Sequence, residues 1–71
     1  MKYKKLEAEH NGMKFKIEED LPEVGVYLFV YKDDKCIIDD LQNDIETCQQ
    51  IAFEDFQVPK EKWKLIDEIM G

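Results

Sequence analysis

Val26-Tyr27-Leu28-Phe29-Val30-Tyr31 is the stretch whose reading decides the fold. Every residue in it is β-branched, aromatic or leucine, and both parities are apolar, which is the mark of a central strand. Successive side chains of a strand point to opposite faces, so Val26, Leu28 and Val30 share one face and Tyr27, Phe29 and Tyr31 the other. Just upstream, Leu21-Pro22-Glu23-Val24-Gly25 breaks the pattern, because proline cannot donate a ladder hydrogen bond and Gly25 has no side chain to pack. A loop is expected there.

Further upstream, Met13-Lys14-Phe15-Lys16-Ile17-Glu18 alternates apolar and charged residues without a break, the period of a strand with one buried face. Tyr3 to Glu9 reads as another strand, and His10-Asn11-Gly12 between them is a turn in which Asn and Gly accept positive φ. The two strands should form a hairpin. Tyr3 and Leu6 have opposite parity, so a bulge or register change is expected in the first strand.

Downstream, Asp33-Asp34 makes a tight turn into a short return strand, Lys35 to Ile38, which Asp39-Asp40 should end. Leu41, Ile45, Cys48, Ala52 and Phe56 are then spaced by four, three, four and four residues, which gathers them on one stripe of an amphipathic helix. Asp40 or Asn43 is the expected N-cap, with Asp44 and Glu46 complementing the positive end of the helix. Glu54 and Asp55 lie where that dipole prefers cations, and Pro59 stops the helix, so docking of Phe56 and Val58 on the core should hold the last turn. In the tail from Lys60 to Met70, Trp63, Leu65 and Ile69 fit a strand and Trp63, Ile66 and Met70 fit a helix. We favour the strand. The expectation for residues 1–71 is thus one small α+β domain: an antiparallel sheet of four to five strands with one amphipathic helix on one face, in the order β-β-β-β-α-β.

Size and charge narrow the function classes. A chain of 71 residues buries only about 60% of its unfolded surface, which leaves room for little more than one layer of helix on one sheet and no deep cleft. A net charge of -7 argues against nucleic-acid partners, whose phosphates repel an acidic surface. No apolar run approaches the length that spans a bilayer, and the start of the chain has no signal-peptide pattern, so a cytoplasmic setting is expected. Cys36 and Cys48 are read as reduced thiols, because a secreted domain of this size usually carries several bridges.

There is no Gly-rich phosphate loop, HExxH pair, GxSxG elbow or calcium loop. All ten basic residues are lysine, Thr47 is the only threonine and there is no serine. Cys36 or Cys48 with His10 as base is the one conceivable nucleophile pair, but Cys48 belongs to the core stripe and His10 to a turn. Two cysteines and one histidine cannot complete a structural zinc site. The pairs Asp39-Asp40 and Glu18-Glu19-Asp20 read as solvated strand ends rather than metal ligands. The reading is a non-catalytic protein with no cofactor, metal or small-molecule substrate.

One feature of the central strand asks for a partner. A single helix covers only one face of the sheet, and the aliphatic face suits the helix stripe. The aromatic row is then either an interaction surface, for a protein partner or for self-association as a homodimer, or it is covered by the tail carrying Trp63 or by the first strand. Tyr27, Phe29, Tyr31 and Trp63 are accordingly the candidate interaction residues. An alternative reading uses the acidic middle of the chain: an immunity-like or antitoxin-like inhibitor that masks a basic protein.

Overall fold

Alternating side chains and two tight turns build a five-stranded antiparallel sheet in the computed structural model, which describes the backbone of residues 2–21 and 23–70 and the side chains of residues 4–21 and 23–66. The strands are β1 (Lys2–His10), β2 (Met13–Glu19), β3 (Val26–Lys32), β4 (Lys35–Gln42) and β5 (Lys64–Met70), with helix α1 (Ile45–Phe56) and a 3₁₀ turn (Lys60–Lys62) between the last two. Their order in the sheet is β4-β3-β2-β1-β5. The first four strands form a meander, and the chain then crosses from the β4 edge to the β1 side, where β5 adds as the other edge. This is the expected α+β order, with the tail a strand as favoured.

Both hairpin turns use left-handed backbone. Asn11 and Gly12 have φ of 52° and 76°, and Asp33 and Asp34 have φ of 52° and 64°. Positive φ at both central residues is the type I′ geometry whose twist matches the flanking strands. Gly12 takes it freely, whereas Asp34 does so at a cost that glycine would avoid. Gly25 is required for a different reason. Its φ is 119°, and a Cβ there would lie 2.3 Å from the Gln42 carbonyl oxygen of β4.

The core is the face of β2 and β3 named by parity: Phe15, Ile17, Val26, Leu28 and Val30 are buried, together with Ala8 of β1 and Cys48, Ala52, Val58 and Trp63. Helix α1 lies over β2, β3 and β4, and the 3₁₀ turn lies against β1. Phe15 is the meeting point, its ring 5.3 Å from Phe56 and 6.3 Å from Trp63 between centroids. These separations suit tilted and edge-on aromatic pairs.

Three expectations about the middle of the chain need correction. Strand β4 runs through Gln42 instead of ending at Asp39-Asp40, because an edge strand tolerates carboxylates: Asp39 is exposed and Asp40 is only half-buried. Leu41 therefore belongs to the sheet and not to the helix stripe, which starts at Ile45. The N-cap is Asp44, not Asp40 or Asn43. Its backbone is extended, and its carboxylate accepts the Thr47 N–H at 2.7 Å. The expected weak helix end is held as anticipated. Gln57 turns left-handed at φ 60°, Val58 N–H donates back to the Ala52 carbonyl, and Val58 is fully buried. The irregularity expected near Tyr3 and Leu6 falls between Lys5 and Leu6 in the β1–β5 pairing. Its extra residue is Ile66, in β5, and β1 keeps an unbroken register with β2. The side chain of Tyr3 lies outside the described residues.

Two backbone substitutions should move stability in opposite directions in urea unfolding. Asp34→Gly relieves the left-handed strain and should raise the unfolding free energy by about 0.5–1 kcal/mol. Gly25→Ala must force β4 away from the loop and should lower it by about 2 kcal/mol or more. A neutral Gly25→Ala would contradict the close approach to Gln42.

Candidate functional site: the open aromatic sheet face

The face of the sheet opposite α1 is built by the other parity of each strand. On β3 it carries Tyr27, Phe29 and Tyr31, each half-buried. Register places their neighbours: Tyr27 stands between Glu18 of β2 and Leu41 of β4, Phe29 between Lys16 and Asp39, and Tyr31 between Lys14 and Cys36. Beyond β2, Lys5, Glu7 and Glu9 of β1 pair with Glu18, Lys16 and Lys14, so the outer part of the face is a mosaic of opposite charges. Lys5 and Glu18 approach to 4.0 Å.

The aromatic row is organised by its own contacts. Tyr27 and Phe29 stack with centroids 5.7 Å apart and planes inclined by 13°, and Lys16 Nζ lies 5.3 Å from the centre of the Tyr31 ring. The first contact is an offset aromatic pair and the second a cation–π contact. Leu41 next to Tyr27 is 50% exposed.

Neither of the coverings considered from sequence operates among the described residues. The first strand and the tail lie in the sheet as β1 and β5, side by side with β2, rather than across it. Trp63 is removed from the candidate surface. It is 9% exposed, packs edge-on against Phe15, and so sits on the helix side, opposite Tyr27, Phe29 and Tyr31. The structure brings those three together and adds Leu41, Lys14, Lys16 and Asp39, which sequence reading missed. For Leu41 the signal was misleading: it sits four residues before Ile45 and fits the helix stripe as well as it fits a strand.

The remaining chemistry-bearing residues are dispersed. Cys36 is exposed on β4, three strands from His10 on β1, about 14 Å away at the usual spacing of about 4.8 Å per strand. Cys48 is buried under the helix, its Sγ 3.7 Å from the Val26 carbonyl oxygen, near the end of the sheet opposite His10. Among the described residues no three His, Cys, Asp or Glu side chains gather in a way that could hold a metal ion, and no helix is long and apolar enough to cross a membrane. Charge is distributed unevenly. Between Asp33 and Pro59 there are eight acidic residues and one lysine, and the remaining nine acids and nine lysines cancel. The whole net charge therefore belongs to β4, α1 and their connections.

No family model, curated protein or solved structure matches the chain.

The two thiols should differ sharply in reactivity. Burial, reinforced by the Asp44 and Asp40 carboxylates, pushes the Cys48 thiol up to about 11, so it stays protonated and inert where an exposed thiol reacts. A disulfide reagent near neutral pH should modify Cys36 at once and Cys48 only on unfolding. The same shift makes the Cys48 contribution to stability present below the ordinary thiol value of 9.0 and lost as pH rises toward about 11. In that window the unfolded chain releases the proton and the native chain keeps it. Cys48→Ala should flatten this part of the alkaline decline, and an unchanged slope would contradict it.

Proposed function

We propose that this chain is a non-catalytic interaction module that presents the Tyr27, Phe29 and Tyr31 face of its sheet to a protein partner. The observation that supports this reading is the row itself: three aromatic side chains and a half-exposed leucine, contiguous on a sheet face that no other described segment covers. Tyrosine and phenylalanine suit such a role, since they bury large area while losing little rotamer freedom, and tyrosine keeps a polar tip for the unbound state. The lysine and glutamate mosaic beyond β2 would form the polar rim. The two unpaired thiols fit a reducing, cytoplasmic setting.

The unequal charge distribution favours a second reading, in which β4 and α1 mask a basic protein. That partner would be lost steeply as salt is raised, whereas a partner held by the aromatic row would persist.

Tyr27→Thr/Tyr31→Thr distinguishes a binding face from a core. Threonine keeps the strand propensity, so this pair should cost no more than about 1–2 kcal/mol and leave a cooperative unfolding transition. Phe15→Ala, in the true core, should cost about 3–5 kcal/mol. With the immobilised chain as bait, partners retained by the wild type should be absent from the double variant. Unfolding of the double variant, or undiminished binding by it, would overturn the proposal.

A further inference from the structure

We infer that the occupant of the aromatic face is a second copy of this chain, laid face to face about a two-fold axis running along β3. The inference rests on the binding-face reading and names its partner. What carries it is the asymmetry of the two flanks of the row. At the level of Phe29, β2 supplies Lys16 and β4 supplies Asp39. These two residues are two strand spacings apart, about 10 Å, too far to pair within one chain. Lys16 stands opposite Glu7 of β1 and beside the Tyr31 ring, whereas Asp39, on an edge strand with Phe29 as its cross-strand neighbour, is placed to meet a charge brought by something else.

Aligned sheets can stack on their own copies in two ways. With the axis across the strands, each strand lies over itself, and Asp39 meets Asp39, Lys16 meets Lys16 and Glu7 meets Glu7 of the second copy. Like charges then face one another along the axis, an arrangement that selects against that complex. With the axis along β3, the row lies over the row and β4 of each copy lies over β2 of the other. Asp39 then faces Lys16 of the second copy, and the symmetry repeats the pair. The burial is confined to β2, β3 and β4, so Lys5, Glu7 and Glu9 of β1 stay in water, while Glu18 and Lys14 of β2 come to lie over Leu41 and Cys36 of the second copy and keep their β1 partners Lys5 and Glu9 at the rim.

Two further observations favour a face over an edge. Both edge strands carry a register shift, at Val30/Tyr31 in the β3–β4 pairing and at Lys5/Leu6 in the β1–β5 pairing. Bulges on edge strands block edge-to-edge extension of a sheet. The net charge of -7 would oppose association if it lay on this face, but α1, with its acidic cap and outer surface, is on the opposite side. The part of the acidic segment that borders the face is β4, and β4 is the strand laid over lysine-bearing β2. Three strands by about five residues make a patch of only about 15 by 17 Å, well under the standard interface size. The dimer is therefore weak and reversible.

Sedimentation across a concentration series tests the inference with the full chain. The wild type should be monomeric at about 5 μM and substantially dimeric by about 500 μM, as a small interface implies. Asp39→Lys and Lys16→Glu, each folded by circular dichroism, should raise the dissociation constant roughly tenfold or more, because each places like charges together twice. An equimolar mixture of these two variants should associate as the wild type does, since every Lys–Glu and Lys–Asp contact is restored across the interface, and the double variant should do so alone. A wild type that stays monomeric throughout overturns the second-copy assignment and leaves the bait experiment above to judge the binding face. A dimer lost in Tyr27→Thr/Tyr31→Thr but indifferent to the charge exchanges overturns the two-fold placement alone. A dimer indifferent to both sets of substitutions forms through another surface and overturns the inference, and the bait experiment again judges the binding face.

Discussion

Everything in this molecule follows from one constraint: a chain of 71 residues has a single covering layer to spend on a sheet with two apolar faces. That layer is α1 with the 3₁₀ turn and Trp63, and it is committed to the face of Phe15, Leu28 and Val30. Phe15 receives Phe56 from the helix and Trp63 from the crossing segment. Removing water from these side chains is the dominant stabilising term at such a size. Among the described residues, the opposite face of β3 has only its own contacts, the Tyr27–Phe29 stack and the Lys16 ammonium beside the Tyr31 ring.

The crossing from β4 to β5 makes this commitment irreversible in topological terms. To place β5 beside β1, the chain must traverse the sheet once, and whichever face it traverses becomes the core. The anchors along that path are local. Asp44 caps the helix start by accepting the Thr47 N–H, which also holds its carboxyl below the usual range. Gln57 turns the chain out of the helix, and Val58 fastens the turn to the core. Gly25 lets the loop before β3 pass close to Gln42, whose β3 partner is Val26.

Most of this plan was legible in the residues, because the strong periodicities agree with the final packing. The alternation in β2, the split of β3 into an aliphatic and an aromatic face, and the two-residue turns were each decisive on their own. The errors cluster where one residue satisfies two patterns. Leu41 fits the helix stripe and the open face equally, and only the length of β4 decides between them. Asp39-Asp40 looked like a stop signal, yet carboxylates on an edge strand cost little and also discourage pairing with other sheets. Trp63 looked like a cover for the aromatic row, because its side in the fold depends on which face the crossing takes, a choice of tertiary packing that local sequence does not encode. The flanking charges Lys16 and Asp39 were visible as residues, but their placement on either side of Phe29 emerges only from the register of three strands.

The central claim is that the sheet has one covered and one open aromatic face, and hydroxyl-radical footprinting read by mass spectrometry at high dilution tests it most directly. The account predicts oxidation at Tyr27 and Tyr31 in the folded chain, with Phe15 and Trp63 protected until unfolding. Protected tyrosines together with an oxidised Trp63 would contradict it, because the chain would then have crossed the other face of its sheet.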